Sequence, residues 1–221
     1  MKFLDFLFPK KCLECGRGGK YICSSCLKKV ATARLVCPTC KNHSYNGATH
    51  RLCKTKNSLS GAYSFYKYEG VVRKAIISIK YKFAYDISKE LVDILPSKIF
   101  LSGSFLIPVP LHKRRENWRG FNQSSILGKF LAEKAGMFFE ERLLLRLENT
   151  TPQVKLGRSE RLRNIRGKFA VNPTYQPLIK GYQTVVVFDD VWTTGATITE
   201  ACKVLKKAGA KEVWGLTIAK T

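Results

Sequence analysis

Two adjacent carboxylates followed by a threonine-rich turn make up the most chemically loaded stretch of this chain. Asp189 and Asp190 follow an apolar run, VVVF at 185–188, and precede Thr193-Thr194-Gly195-Ala196-Thr197. The run is rich in β-branched residues and reads as a buried strand of a parallel sheet. The acids then sit at its C-terminal end, and the turn leads into a helix over 198–207. A helix N-terminus offers unpaired N–H groups and about half a positive charge, so it favours an anion. Gly195 lets the backbone turn tightly and approach a ligand. The hydroxyls of Thr193, Thr194 and Thr197 can donate to phosphate oxygens. Carboxylates beside such a cradle would repel phosphate; their natural partners are the vicinal hydroxyls of a ribose, with Mg²⁺ nearby. The competing reading is a Rossmann-like or receiver-like strand end whose threonines merely cap a helix. Four features coinciding in order argue against it.

The second cluster is cysteine. Seven of the eight cysteines fall within residues 12–53, as three C-x-x-C pairs and Cys53. Cys12-x-x-Cys15 and Cys23-x-x-Cys26 can close a tetrahedral Cys₄ zinc site, with the second pair at the start of a helix through 27–33. Cys37-x-x-Cys40 opens a second ribbon, but only Cys53 answers it, and Lys56 stands where a fourth cysteine would be. A second ion would need His43 or His50. The reading is one complete zinc site and one decayed or partial site. The run at 3–8 is broken by Asp5 and closed by Pro9, so it reads as no signal peptide. Clustered cysteines without a secretory signal point to metal ligation in a reducing cytoplasm rather than disulfides.

The third feature is positive charge. The chain has 221 residues and a formal net charge of +23. That excess favours polyanions: nucleic acid, phosphorylated ligands or an anionic membrane face. Lys113, Arg114 and Arg115 follow a short apolar strand at 105–110, where positive charge suits a pyrophosphate. Arg158, Arg161, Arg163 and Arg166 lie in a long basic segment, 148–168, which suits a lid over a ligand. Aromatic residues from Tyr63 to Tyr85 alternate with lysines; they could stack bases or simply fill a core.

These groups need a scaffold. The expected order is an amphipathic turn at 1–9, the cysteine module, a strand at 60–68, helices at 71–81 and 87–95, and the strand at 105–110. A helix capped by Asn122 follows, then strands at 143–147, 168–171, 185–188 and 213–219. Arg73, Lys74 and Lys80 read as the basic face of the 71–81 helix. Strands alternating with helices predict an α/β fold with a parallel sheet flanked by helices. The division is a module at 1–58 and a larger unit at 59–221. No stretch is long and apolar enough to span a bilayer. The protein is expected in the cytoplasm, with the turn at 1–9 packed on the module or resting at the inner face of the membrane.

The run 185–197 resembles the phosphoribosyl pyrophosphate signature of type I phosphoribosyltransferases. The resemblance implies that Asp189 and Asp190 hold the ribose 2′- and 3′-hydroxyls, that 193–197 hold the 5′-phosphate, and that Lys113 to Arg115 lie in the pyrophosphate loop. Nearly the whole chain is similar to the ComF family, competence-associated proteins that join a zinc ribbon to a phosphoribosyltransferase domain. The motifs are the cysteine module, PVPLHKRR…RGFNQ, TPQ…RxxRxxNIRGxF and DDVWTTGAT, in that order. Lys56 and the bulky Trp192 depart from the pattern. The likeness implies a cytoplasmic protein of natural transformation that handles single-stranded DNA. Two other readings stand beside it: an active phosphoribosyltransferase with an unnamed acceptor, and an adaptor whose zinc module docks a helicase or DNA-uptake partner. Phosphoribosyl transfer mainly needs charge held and neutralised, so a working transferase and a binding relic look alike in sequence.

Overall fold

The computed structural model describes residues 9–81, 85–111, 113–147 and 165–221, with the backbone only at 81 and 113–115. Its centre is strand β6 (Thr184–Trp192), where Val185 to Phe188 are fully buried. β7 (Glu212–Lys220) and β2 (Phe105–Pro108) flank it, both parallel to it. β1 (Gly61–Lys67) lies outside β7, and β3 (Phe138–Phe139) outside β2. The order is β1-β7-β6-β2-β3, parallel throughout. Burial on both faces explains why the central strands β2, β6 and β7 read as apolar runs rather than alternations.

Each face has its own core. Val186 and Phe188 join Val72, Ile76 and Ile79 of α2 (Gly70–Tyr81), Leu91 of α3 (Tyr85–Asp93), and Leu127 and Leu131 of α5 (Gln123–Ala135). Val185 and Val187 pack with Ile198, Ala201 and Leu205 of α7 (Ala196–Lys207). Asn122 caps α5 as expected, its side chain accepting from the Ser124 N–H at 3.1 Å.

The connections locate the ligand edge. From β2 the chain runs through α4 (Lys113–Arg119) and α5 outward to β3; from β6 it runs through α7 to β7, on the other side. Adjacent parallel strands whose connections diverge open a crevice beyond their C-terminal ends. Asp189 and Asp190 stand there, within β6 rather than after it, because the strand continues to Trp192 in register with Lys220.

Several elements differ from the sequence reading, β3 and α4 among them, which it did not give as a strand and a helix. The helix expected over 27–33 ends after α1 (Ser24–Leu27). Residues 31–33 instead pair with β1: the Ala33 N–H donates to the Phe65 carbonyl at 3.0 Å and the Lys67 N–H to the Ala31 carbonyl at 2.8 Å. An exposed sheet edge is thereby covered. The strands β4 (Leu144–Arg146) and β5 (Phe169–Val171) form their own antiparallel pair outside the parallel sheet. A short helix, α6 (Pro177–Lys180), carries no clear signal of its own in the sequence.

The aromatic series is mostly packing. Phe65 is buried, Tyr63 meets Phe65 and Phe100 edge to face, and the Tyr66 hydroxyl donates to the Ile94 carbonyl. Phe83 lies outside the described residues. So do the segment 1–8 and residues 148–164 of the basic segment.

Candidate functional site

The two acids of the β6 edge have different partners. Asp189 Oδ1 accepts from the Ser124 hydroxyl at 2.9 Å and from the Asp190 N–H at 2.9 Å. Asp190 is buried, and its Oδ2 lies 2.6 Å from Lys80 Nζ, which reaches over from the end of α2. Burial pushes the Asp189 carboxyl up to about 7, and the neighbouring Asp190 charge adds to the rise; Lys80 and Ser124 pull the other way. Burial also works against the Lys80 ammonium, but Asp190 and then Asp189 outweigh it and hold it above its ordinary value. Once Asp189 ionises, two carboxylates face one ammonium and leave one excess negative charge in a poorly hydrated corner. Such a site receives hydroxyl donors or a cation.

Lys80 and Ser124 are the residues the sequence reading missed. Lys80 read as part of a solvated basic face. It lies four residues after the buried Ile76, at the border of the apolar stripe, and that spacing was the available signal. Ser124 is the second residue of α5, whose cap was legible though the target of its hydroxyl was not.

The turn after the acids is shaped by Gly195 and Trp192. Gly195 precedes α7 with φ +78°, a conformation that side chains rarely adopt. A Cβ there would lie 2.2 Å from the Trp192 ring. Trp192 is only 5% exposed and tucks under the turn, also against Gly215. The ring that looked like an obstacle to a ligand therefore forms the turn's floor. The Thr194 hydroxyl accepts from the Ala196 N–H at 3.3 Å. Thr193 is exposed, whereas Thr194 and Thr197 are half-buried and Ala196 is buried.

The basic runs divide. Lys113, Arg114 and Arg115 read as a strand-end loop, yet their backbone forms the first turn of α4, beyond the C-terminal end of β2. Arg158, Arg161 and Arg163 lie outside the described residues. Arg166 is described and exposed. Around it the chain is anchored: Ile165 is buried, the Gly167 N–H donates to Glu200 Oε1 of α7 at 2.9 Å, and the Leu147 N–H donates to the Lys168 carbonyl at 2.9 Å.

The cysteines form two donor clusters. The ligand atoms of Cys12, Cys15, Cys23 and Cys26 all lie within 4.8 Å of one another. Cys15 and Cys23 sulfurs are 3.8 Å apart. Zinc–sulfur bonds of about 2.3 Å at tetrahedral angles require sulfur–sulfur edges of roughly 3.8 Å, so the set fits zinc. The second cluster is Cys37, Cys40, Cys53 and His50. His50 Nδ1 lies 3.3 Å from the Cys40 sulfur, and its Nε2 lies 3.1 Å from the His43 carbonyl. Donation from Nε2 to that carbonyl turns Nδ1 toward the thiolates, a common way of orienting a histidine ligand. This corrects the expectation of a decayed or partial second site: a histidine completes the donor set in place of the absent cysteine at 56.

In each set one thiol is drawn down and one pushed up, Cys26 to about 12 and Cys53 to about 11, by burial and then by the neighbouring thiols. Burial pushes the Cys12 thiol up, but the backbone N–H groups of Cys15, Cys23 and Glu14 outweigh it and bring it down to about 6. Cys37 is likewise brought to about 6 by the N–H groups of Cys40, His50 and Thr39. Four protein donors per site close the coordination sphere, which makes these structural rather than catalytic centres.

A parallel-sheet α/β unit with an N-terminal double zinc ribbon is thus the class of protein defined by the fold and these sites. Residues 3–55 match the Double zinc ribbon domain family. The chain is 36% identical over 118 residues to Competence protein F of Haemophilus influenzae, covering 52% of this chain and 50% of that protein. It is 31% identical over 211 residues to Competence protein ComFC of Streptococcus pneumoniae, covering 91% and 84%. It is 28% identical over 217 residues to Competence protein ComFC of Bacillus subtilis, covering 91% and 83%. The matched stretch spans about half the length of the first relative and more than four fifths of the other two. The chain belongs to the ComF family. No helix among the described residues is long and apolar enough to cross a membrane.

Proposed function

We propose that this protein binds a 5′-phosphoribosyl group at the β6 edge and handles single-stranded DNA in natural transformation. The observation that carries the reading is the Asp189–Asp190 pair at the divergence point of the sheet, five residues before the Gly195 cap of a helix N-terminus. In this reading the two carboxylates take the ribose hydroxyls, and residues 193–197 take the 5′-phosphate. Lys113 to Arg115 and the basic segment around Arg166 neutralise further phosphate charge, with Mg²⁺ entering alongside a pyrophosphate. The net charge of +23 supports a polyanionic partner, and the competence names of the relatives support the process.

Fluorescence anisotropy with 5′-phosphorylated and 5′-hydroxyl oligodeoxynucleotides tests this. The phosphorylated strand binds more tightly, the preference disappears in Gly195→Ala, which distorts the turn assigned to the 5′-phosphate, and affinity falls as salt rises. Equal binding of both strands by wild type and variant would remove the reading.

A further inference from the structure

Beside the phosphate turn, the zinc module and the C-terminal strand line a further cleft. Its volume is about 450 Å³. Thr193 and Thr194 open onto it, Trp192 forms one wall, and Arg34, Lys41 and Lys220 converge on it. A second cavity of about 210 Å³ shares Arg34 and Lys220 and continues toward Lys67 and Tyr68. The two form one groove with Arg34 and Lys220 at its waist.

The cations come from both parts of the chain. Arg34 and Lys41 bracket Cys37-x-x-Cys40 of the second ribbon, and Lys220 ends β7 in register with Trp192. Lys41 has φ +67°, donates to the Pro38 carbonyl, and holds its ammonium 6.0 Å from the centre of the Trp192 ring. The convergence has an electrostatic cost: burial first, then Lys41 and Arg34, push the Lys220 ammonium below its ordinary value. A bound anion relieves that repulsion. The acid on the groove, Glu69, lines the smaller cavity and accepts from the Ala31 N–H at 3.2 Å. Among the described residues no acid lines the larger cavity beside the turn.

We propose that this groove is a second phosphate site, built jointly by the zinc module and β7, and that it holds a phosphodiester of a single strand whose terminal 5′-phosphate sits in the adjoining turn. The proposal rests on the sugar-phosphate reading of residues 189–197. A planar guanidinium with two ammonium groups suits phosphodiester oxygens. The groove continues past one phosphate, which favours a strand over a mononucleotide. Trp192 is too buried to stack on a base, so the groove follows the backbone and is indifferent to sequence.

The test is a binding series with 5′-phosphorylated oligothymidylates from one to eight nucleotides, on Arg34→Gln, Lys220→Gln and wild type, with phosphoribosyl pyrophosphate as reference ligand. Wild-type affinity rises from the mononucleotide to the dinucleotide. Each variant loses about tenfold on the longer strands, and its salt slope drops by about 0.7. The reference ligand binds all three proteins alike. Unchanged strand affinity in both variants overturns the second site while leaving the first reading intact. A wild type that binds neither ligand overturns both.

Discussion

At the scale of single residues, the decisive group is the triad of buried Asp190 with half-buried Asp189 and Lys80. Lys80→Met leaves Asp190 buried without its ion pair, and removing one partner of a buried pair costs about 3 kcal/mol. Chemical denaturation measures the loss; Lys80→Met with Asp190→Asn recovers most of it, because no unpaired charge remains. Asp189 gives a pH signature. Its folded value near 7 stands above the ordinary 3.8. Between those values the folded chain keeps a proton that the unfolded chain has lost, so stability falls as pH rises through the window and stays reduced above it. Asp189→Asn, which can still accept from Ser124, therefore melts above wild type at pH 8, and the difference shrinks toward pH 4.5. The acid pair was legible in the sequence because its neighbours in the chain announce it. Lys80 was not. Arg73 lies almost on the same line of α2, and only the height of each side chain along the helix decides which reaches the acids.

At the scale of elements, the turn between β6 and α7 depends on a fit between a glycine and a tryptophan. Gly195→Ala places a Cβ 2.2 Å from the Trp192 ring at a positive φ. The expected loss is at least about 2 kcal/mol, from backbone strain and overpacking together. Gly195→Ala with Trp192→Leu recovers the packing part in thermal melts, while the strain part remains. Elements with long apolar runs, such as β6, β7 and α5, were readable from pattern alone. The helix expected over 27–33 was not, because its residues suit either a second helical turn or a sheet edge. The unpaired edge of β1, supplied by residues some thirty positions later, selects the edge. For β4 and β5, burial of Leu144 and Phe169 made strands legible but could not say that they pair with each other.

At the scale of the molecule, the zinc module and the sheet share one core. Cys12, Ile22, Cys26 and Val30 belong to the same buried cluster as Phe65, Val71 and Val72. Metal binding to ribbons of this kind contributes directly to folding. The chain should carry two zinc ions by elemental analysis, falling to one in His50→Ala or Cys53→Ser. Chelation should lower the melting temperature of the whole molecule in a single transition rather than split off a separate early one. The two donor sets differ in legibility for a plain reason: Cys₄ spacing is written locally, whereas His50 is one of two histidines in range, and its selection depends on the His43 carbonyl that turns its ring.

The central claim is that the acid pair and the threonine turn together grip a sugar phosphate. Isothermal titration of the zinc-loaded protein with phosphoribosyl pyrophosphate, with and without Mg²⁺, asks this directly. The account predicts saturable one-to-one binding to wild type and at least a tenfold loss in both Asp190→Asn and Gly195→Ala at a temperature where each variant remains folded. No heat of binding to folded wild type, or equal affinity in all three proteins, would contradict it.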